Sequence, residues 1–434
     1  MAKKRARIPQ KVFLNGRLVG QLRRETSGAI DFQYDQSWLD WEHTFPVSLS
    51  LPLREDRYAG DPVIAVFDNL LPDREDVRRR LAARNHADGI DSYSLLAAIG
   101  RDCVGALQFL PEGIEPGPAG EVSGEPIDDA AIAARLANLE SAPLGIGEDE
   151  DFRISLAGAQ EKTALLYWNE RWHIPRGSAA TTHILKPQIG ERDGRDLTQS
   201  VENEYLCMQI IGALGLPVAN TRIADFAGQR ALVIERFDRQ WSGERLLRVP
   251  QEDCCQALSI PPTRKYESDG GPGIVDILAF LKGGNEPASD QRLFMKAQIA
   301  FWLLAATDGH AKNFSVFLYP GGGFKLTPLY DVMSTQPLFE EGQLRRNQMR
   351  LAMAVGDSRH YRLREIAPRH FVQTASSAGM PKATVYAILG ELANVLPHAL
   401  DTVFASLSAG FPASVRDTIA EGAHQRLKIA AAAA

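Results

Sequence analysis

The segment Ala306-Thr307-Asp308-Gly309-His310-Ala311-Lys312-Asn313-Phe314 decides how the rest of the chain is interpreted. An apolar helix is predicted from about Leu293 to Ala306 and leads directly into this segment. Two predicted strands follow, Phe314 to Tyr319 and Phe324 to Thr327, with a turn of three glycines between them. Tyr330-Asp331 comes directly after the second strand. A helix, a polar loop, a hairpin and a second Asp therefore follow one another in the chain.

This order is the one that a protein kinase active site requires. An Asp at the exit of a helix accepts the proton of the substrate hydroxyl, an Asn five residues later binds magnesium, and a hairpin delivers a second Asp to the metal. Asp308, Asn313 and Asp331 take these three places. Ala306-Thr307 replaces the usual His-Arg, and Tyr330-Asp331-Val332 stands where Asp-Phe-Gly is usual. An Asx-capped turn would explain the Asp–Asn spacing alone, but the complete order favours the kinase interpretation.

A lysine ends a predicted strand upstream of that loop. The strand runs from Thr182 to Lys186, and a helix predicted from Thr198 to Leu214 carries Glu202 and Glu204. In kinases a strand lysine binds the α- and β-phosphates of ATP and is held by a glutamate of the next helix. A charged residue at the end of a strand is usually only solvated, so the order of the segments is what favours the functional role. The spacing does not choose between the two glutamates.

A loop of small residues, Ala157-Gly158-Ala159-Gln160-Glu161-Lys162-Thr163, lies between predicted strands Phe152 to Leu156 and Thr163 to Trp168. Small residues let backbone N–H groups approach phosphate oxygens. Only one glycine is present, so neither common phosphate-loop pattern is satisfied and a plain hairpin turn is the alternative. Glu235-Arg236-Phe237-Asp238 ends another predicted strand, at the place where a kinase hinge would receive adenine.

The remaining patterns predict an α+β, bilobal, protein-kinase-like fold. It has a strand-rich N-terminal lobe (residues 126–240), an all-helical C-terminal lobe (241–434) and an extra N-terminal subdomain (1–125) of a hairpin and helices. The hairpin is predicted around Asn15-Gly16, which tolerates the positive φ of a type I′ turn. A linker is predicted from Pro111 to Pro126, because four prolines and four glycines fall there. Further elements are predicted at Pro62–Leu70, Arg74–Arg84, Ser92–Ile99, Arg222–Phe226 and Arg230–Glu235.

The composition restricts the classes of function. The 434 residues carry a net charge of -6, which argues against a protein that grips nucleic acid by itself, since that binding depends on Lys and Arg. Four cysteines are too few for a disulfide scaffold, and they show no zinc-type spacing. The longest apolar run, Ile299 to Ala306, is too short to cross a bilayer. The sequence therefore predicts a cytoplasmic protein with no membrane partner.

The chain resembles the HipA family of toxin kinases in segments that span most of its length. These segments are Asp68-Asn69-Leu70-Leu71-Pro72-Asp73, Asp151-Phe152-Arg153-Ile154-Ser155, Ala157 to Thr163, Thr182 to Lys186, Glu202-Asn203-Glu204-Tyr205, Glu235 to Asp238, Gln251-Glu252-Asp253, Lys265-Tyr266-Glu267 and Thr307 to Asn313.

The resemblance implies an ATP- and magnesium-dependent, non-specific serine/threonine protein kinase. Asp308 would be the catalytic base, with Asn313 and Asp331 on magnesium. ATP would be held by these two residues together with Ala157, Gly158, Ala159, Gln160, Glu161, Lys162, Lys186, Glu235, Arg236, Phe237, His310, Ala311 and Lys312. The enzyme would also phosphorylate itself on Ser155.

The resemblance also implies partners. A small helix-turn-helix antitoxin, HipB, would neutralise the toxin, and its dimer would carry operator DNA, with the pair repressing its own operon. The expected target is glutamyl-tRNA synthetase, whose modification inhibits translation and promotes persistence. Relatives carry DNA-contacting basic residues after the Arg369-His370-Phe371 segment, whereas Ser376 to Gly379 is uncharged here. DNA contact is therefore expected mainly through the antitoxin.

Two other classes of function remain open from the sequence. A kinase of the same fold could act on a small molecule or a lipid head group, because such enzymes reuse the same apparatus. A catalytically silent corepressor is the other alternative, in which one active-site position should be lost. Lys186, Asp308, Asn313 and Asp331 are all present.

Overall fold

A computed structural model of the chain describes residues 9–110, 113–147 and 152–431. The first part is an antiparallel five-stranded sheet, in the order β4-β3-β2-β1-β5, with helices beside it. In chain order its elements are β1 (Gln10–Leu14), β2 (Arg17–Arg24), β3 (Ile30–Tyr34), α1 (Gln36–Leu39), β4 (Tyr58–Ala59), α2 (Asp61–Asp68), α3 (Glu75–Arg84), α4 (Ser92–Ile99) and β5 (Leu107–Leu110).

The predicted hairpin and the three predicted helices of this part are confirmed. Leu14 pairs with Arg17 across the turn, and Asn15 and Gly16 have φ values of 45° and 82°. Positive φ at both central residues is what a type I′ turn requires, because its twist matches that of the flanking strands. The helices α2, α3 and α4 begin and end within two residues of the predicted bounds.

The second part is a six-stranded sheet in the order β12-β13-β9-β7-β8-β6. Strands β7, β9, β12 and β13 and the helix α6 lie where the sequence predicts them. Strand β8 is not predicted, and β6 comes from the end of the segment predicted to be a linker. The elements are β6 (Gly124–Ile127), α5 (Asp129–Ala137), β7 (Thr163–Trp168), β8 (Arg171–Pro175), β9 (His183–Pro187), β10 (Gly190–Arg192), β11 (Arg195–Leu197), α6 (Ser200–Ala213), β12 (Thr221–Phe226) and β13 (Gln229–Glu235).

The strand predicted at Phe152 to Leu156 is wrong. The N–H group of Ser155 donates to the carbonyl of Asp102 at 3.0 Å, and its hydroxyl donates to the carbonyl of Leu70 at 2.7 Å. These are single contacts with the N-terminal part rather than a ladder with a neighbouring strand. Ile154, Ser155 and Leu156 are all buried, so the segment has no solvent-facing side of the kind that its alternating sequence suggested.

The third part is mainly helical, which confirms the α+β class and the order of the lobes. Its elements are β14 (Arg239–Ser242), β15 (Arg245–Arg248), β16 (Gln251–Asp253), α7 (Cys254–Ala257), α8 (Ile274–Leu281), α9 (Pro287–Leu304), β17 (Ser315–Leu318), β18 (Phe324–Leu326), α10 (Gln336–Glu340), β19 (Arg350–Val355), β20 (His360–Arg362), α11 (Pro368–Ser377), α12 (Lys382–Ser406) and α13 (Ala413–Ala431).

The expectation of an all-helical C-terminal lobe is wrong in detail. The predicted hairpin of β17 and β18 gains β16 as a third strand, and β19 pairs with β20. An isolated two-stranded hairpin is marginal in water, and pairing of β16 with β17 stabilises the hairpin of β17 and β18. The division of the chain at residues 125 and 240 stays a prediction.

Helix α9 carries the centre of the largest core. Phe294, Trp302 and most of the other side chains of α9 are buried in a cluster that extends into the N-terminal part. A second, smaller cluster lies between α5 and the six-stranded sheet. The core therefore fixes the end of α9, from which the Asp308 loop leaves. Among the described residues, no helix is both long and apolar enough to cross a membrane.

Candidate active site

A cleft of about 290 Å³ is lined by residues of the six-stranded sheet and of the helical lobe, and it collects most of the predicted site residues. A larger cavity of about 440 Å³, near Asn15 and Arg248, contains none of them, so the chemistry identifies the smaller one. The predicted residues in the cleft are Ala157, Gly158, Ala159, Gln160, Lys162, Lys186, Glu235, Arg236, Phe237, Asp308, His310, Lys312, Asn313 and Asp331. Glu161, Ala311 and Ser155 do not line it.

Lys186 is held by two carboxylates. It lies on β9, between β13 and β7, and only 4% of it is exposed. Its Nζ lies 2.7 Å from Oε1 of Glu204 and 2.7 Å from Oδ1 of Asp331. Glu202 instead pairs with Arg230 at 2.9 Å. The structure thus brings Glu204 to the lysine and places Asp331 directly beside it.

The electrostatics of this cluster keep its central ion pair charged. Burial alone would raise the pKa of Asp331, but the ammonium groups of Lys186 and Lys162 hold it well below its usual range. Burial alone would lower the pKa of Lys186, but Asp331 and Glu204 raise it above its usual range. Burial, with Lys186 nearby, lowers the pKa of Lys162 to about 8. Lys186 and Asp331 are therefore both charged in the cleft before any ligand binds.

The loop after α9 exposes the carboxylate of Asp308 while fixing its backbone. Ala305 ends the helix with a φ of 53°, which turns the chain sharply. The carbonyl of Asp308 accepts the N–H of His310 at 2.8 Å and the Nδ2 of Asn313 at 2.8 Å. The hydroxyl of Tyr266 donates to Oδ1 of Asp308 at 2.5 Å. Asp308 is therefore an exposed carboxylate on a rigid loop, suited to accept a proton from a substrate.

The residues predicted to hold magnesium fit that ion. The Nδ2 of Asn313 is engaged with Asp308, so its carbonyl oxygen is left to face a metal, and Asp331 offers a carboxylate. These are the hard oxygen donors that Mg²⁺ prefers. No group of three or more His, Cys, Asp or Glu side chains suited to a metal occurs in the part of the chain that the structure describes. A Mg²⁺ that also binds substrate phosphates needs only one or two protein carboxylates.

The small-residue loop meets the N-terminal part of the chain. Gly158 has a φ of 102°, a conformation that favours glycine, and it forms a bridge with Pro72. The N–H of Asp73 donates to the carbonyl of Gly158 at 3.1 Å. Lys162 donates to the carbonyl of Ala157 at 2.7 Å. These contacts therefore anchor the loop at the mouth of the cleft, and Lys162 lies inside the cleft.

The segment predicted as a hinge offers its backbone to the cleft. The guanidinium of Arg236 is buried and bonds to Asp238 at 2.8 Å, so its side chain is committed elsewhere. The N–H groups of Glu235 and Arg236 donate to other carbonyls, whereas that of Phe237 has no hydrogen-bond partner among the described residues. Apolar side chains surround this point, namely Val104, Ile184, Met208 and Ile234.

Sequence reasoning missed three features of the site. It did not find the hydrogen bond of Tyr266 to Asp308, the carboxylate of Asp73 between two lysines, or the buried network of Asp102 with Arg236, Arg239 and Arg248. The segments of Asp73 and Tyr266 carried the family resemblance, but nothing in the sequence gave them a role. Their partners are far away in the chain, so no local pattern reports the contact.

Two family models match the chain. Residues 10–110 match the HipA N-terminal domain, and residues 154–400 match the HipA-like C-terminal domain. Together the two models span the cleft, the Asp308 loop and the N-terminal residues that contact them.

Individual relatives agree with these matches. A protein of Sinorhizobium fredii named putative kinase Y4mE is 39% identical, over 75% of this chain and 76% of its own length. The serine/threonine-protein kinase toxin HipA of Shewanella oneidensis is 29% identical, over 85% of this chain and 83% of its own length. In fold, the chain is similar to HipA in a solved complex of Shewanella oneidensis HipA, HipB and operator DNA. The TM-score is 0.80 at 23% identity, over 98% of both chains.

Proposed function

The chain belongs to the HipA family, and from this premise we propose that it transfers the γ-phosphoryl group of ATP to a serine or threonine of a protein target. The observation that carries the proposal is the arrangement of Asp308, Asn313 and the Lys186–Asp331 pair around one cleft. A catalytically silent corepressor would have no need to keep an exposed carboxylate hydrogen-bonded at this point.

The chemistry follows from the groups in the cleft. The base of ATP would enter among Val104, Ile184 and Ile234, with an edge against the free N–H of Phe237. Lys186 and Lys162 would neutralise the phosphates. The hydroxyl oxygen of the target would attack the γ-phosphorus while Asp308 takes its proton. Mg²⁺ held by Asn313 and Asp331 would neutralise phosphate charge.

We further propose the partners that relatives suggest. A HipB-type helix-turn-helix antitoxin would bind this chain and carry most of the contact with operator DNA, because the chain has a net charge of -6. The proposed target is glutamyl-tRNA synthetase, whose phosphorylation would inhibit translation and promote persistence. The complex with HipB and operator DNA that was solved for the Shewanella oneidensis protein supports the partner part of this proposal.

Transfer of labelled phosphate from Mg-ATP to purified glutamyl-tRNA synthetase tests the function. We expect Asp308→Asn to reduce transfer by about 10²- to 10⁴-fold, which is the usual contribution of a general base. Asp357→Asn, which changes an exposed carboxylate outside the cleft, should keep native activity. Melting temperatures should be equal, because Asp308 is exposed. Native-like transfer by a folded Asp308→Asn protein would contradict the proposed chemistry.

A further inference from the structure

Two segments that carry the family resemblance meet in the cleft although no role has been given to either. The carboxylate of Asp73, from the N-terminal part, lies between two lysines of the helical lobe. Its Oδ2 is 2.7 Å from the Nζ of Lys265 and its Oδ1 is 2.5 Å from the Nζ of Lys312. The side chains of Asp73, Lys265 and Lys312 are only 13%, 15% and 4% exposed.

Asp73, Lys265 and Lys312, here called the triad, contact the two loops between which a transferred phosphoryl group must lie. The backbone N–H of Asp73 holds the carbonyl of Gly158 in the small-residue loop. Lys312 directly precedes Asn313, and the carbonyl of Lys265 accepts the N–H of Ala311 at 3.3 Å. All three charged side chains line the same cleft as Asp308. The triad therefore lies between the proposed phosphate loop and the proposed catalytic loop.

The charges of the triad do not cancel. Burial would raise the pKa of Asp73, but Lys312 and Lys265 hold it well below its usual range, so the carboxylate stays ionised. Two ammonium groups and one carboxylate give these three largely buried side chains one net positive charge, while Asp253 and Asp308 line the same cleft. A structural ion pair would need only one lysine. A surplus cation in such a place is stabilised when an anionic ligand binds.

We propose that Lys265 is a further catalytic residue that contacts the γ-phosphoryl group of ATP beside Lys312, and that Asp73 is the positioning residue that holds both ammonium groups. This inference rests on the proposed kinase function. If it is correct, the N-terminal part of the chain contributes Asp73 to the active site.

The step that Lys265 assists is a simple displacement. A bond forms between the hydroxyl oxygen of the target and the γ-phosphorus, and the bond from that phosphorus to the β–γ bridging oxygen breaks. The hydroxyl proton goes to Asp308, and ADP leaves with the bridging oxygen. Negative charge on the transferred group and on the leaving oxygen is stabilised by fixed cations, which need no reorganisation during the reaction.

The first test compares the affinities for ATP and ADP in the full-length protein. Lys265→Met removes the charge but keeps most of the length of the side chain. We expect ATP to bind about 10-fold more weakly and ADP to bind as in the native protein, because only ATP has the γ-phosphate. The kcat for the target should fall by about 10²- to 10³-fold, as for other lost transition-state donors. Lys265→Arg should recover part of both effects.

A matched control comes from the same lobe. Lys325→Met removes a partly exposed lysine that pairs with Glu286 at 2.8 Å and does not line the cleft. It should change neither the ATP-to-ADP affinity ratio nor kcat. Equal weakening of ATP and ADP by Lys265→Met would overturn the proposal, because a residue that only supports the fold would affect both nucleotides.

The second test separates positioning from support of the fold. Asp73→Asn removes a negative charge near the γ-phosphate, so ATP affinity should be unchanged or higher, while kcat falls about 10-fold as the lysines lose their alignment. Asp73→Glu should recover part of kcat. A simultaneous loss of affinity and kcat in Asp73→Asn would contradict the positioning role.

The two proposals fail in different ways. If the native protein binds ATP but modifies no target, the proposed function fails while the ATP-to-ADP ratio still decides the role of Lys265. If the native protein is an active kinase and Lys265→Met keeps native affinity and kcat, only the inference about Lys265 fails. If the native protein binds no ATP, both proposals are wrong.

Discussion

At the scale of single residues, Lys186 shows what a sequence can and cannot predict. Its place at the end of a strand before a helix with acidic residues is visible in the sequence. The choice of partner is not, because Glu202 and Glu204 are both buried in α6. Residues two positions apart in an α-helix, such as Glu202 and Glu204, lie about 200° apart around its axis. The two carboxylates therefore face different neighbours. Only the packing of α6 on the sheet decides which one faces Lys186.

A prediction follows for these two glutamates. Glu204→Gln should weaken ATP binding by about 10-fold or more, because Lys186 keeps only Asp331 as a charged partner and loses its alignment. Glu202→Gln, whose partners are Arg230 and Gln188, should change ATP affinity by less than about 2-fold. Titration calorimetry with Mg-ATP measures both variants.

The stability of the two variants provides the control. Loss of one charged partner of a buried ion pair typically costs about 3–5 kcal/mol, and Lys186 retains Asp331, so a smaller loss is expected for Glu204→Gln. Both proteins should stay folded at the temperature of the titration. If Glu202→Gln weakened ATP binding and Glu204→Gln did not, the assignment of the kinase-type glutamate would be reversed.

At the scale of elements, the sequence predicts best where a local pattern determines the structure. Helix α9 and the strands β17 and β18 were predicted because apolar periodicity and a glycine turn mark them locally. Strands β6 and β16 were not predicted, because each is a short segment that becomes a strand only by pairing with β8 or β17. The candidate site follows the same rule, since the sequence predicts its loops but not the contacts of Asp73, Tyr266 and Asp102 with distant segments.

The prediction of a strand from Phe152 to Leu156 is wrong for a related reason. Alternation of apolar and polar residues predicts a half-buried strand only if one side faces solvent. Here the polar residue Ser155 is fully buried and bonds to the carbonyl of Leu70. A buried serine satisfied by a distant backbone group has the same sequence pattern as an exposed one.

The buried position of Ser155 leads to a prediction about autophosphorylation. The hydroxyl of Ser155 does not line the cleft. The segment from Phe152 to Leu156 must therefore leave its buried position before Ser155 can reach Asp308 of the same or of another molecule. A phosphate of about -1.5 to -2 charges could not return to a fully buried site bonded to a carbonyl. Phosphorylation should therefore be slow, displace the segment and its adjoining loop, and lower ATP affinity.

Mass spectrometry after incubation with Mg-ATP measures this outcome. Phosphate should appear slowly on Ser155 of the native protein, and none should appear on Ser155 of the Asp308→Asn protein. Hydrogen exchange should rise across the segment and the small-residue loop in the phosphorylated protein. Ser358→Ala, an exposed serine in the turn between β19 and β20, is the control and should not change the yield. A phosphorylated enzyme that still bound ATP with native affinity would contradict the proposed switch.

At the scale of the whole molecule, the N-terminal part and the helical lobe share a core and several buried polar contacts. One of these contacts joins Glu252 of β16 to the N–H of Leu49, at 2.8 Å. The other carboxylate oxygen of Glu252 has no hydrogen-bond partner among the described residues. Burial raises the pKa of Glu252 to about 8 and that of the adjacent Asp253 to about 7. Tyr34 lies nearby, and burial keeps it neutral by raising its pKa. Two carboxyl groups at this junction, those of Glu252 and Asp253, therefore have pKa values near neutrality, and Asp253 also lines the active-site cleft.

The last prediction is that Glu252 makes the stability of the molecule fall as the pH rises from about 5 to 8. In the unfolded chain the pKa of Glu252 is near its ordinary value of 4.5, and in the folded chain it is about 8. Between these values the folded state holds a proton that the unfolded state has lost, so the unfolding free energy decreases with pH. One such group contributes at most about 1.4 kcal/mol per pH unit. Glu252→Gln, which keeps an oxygen for the N–H of Leu49, should flatten this slope and be more stable than the native protein at pH 8. Urea unfolding at pH 5, 6, 7 and 8 measures the slope, with the exposed Glu244→Gln as the control that keeps it. An unchanged slope in Glu252→Gln would mean that this carboxyl group ionises equally in both states, and the junction between the two parts would then not be sensitive to pH through Glu252.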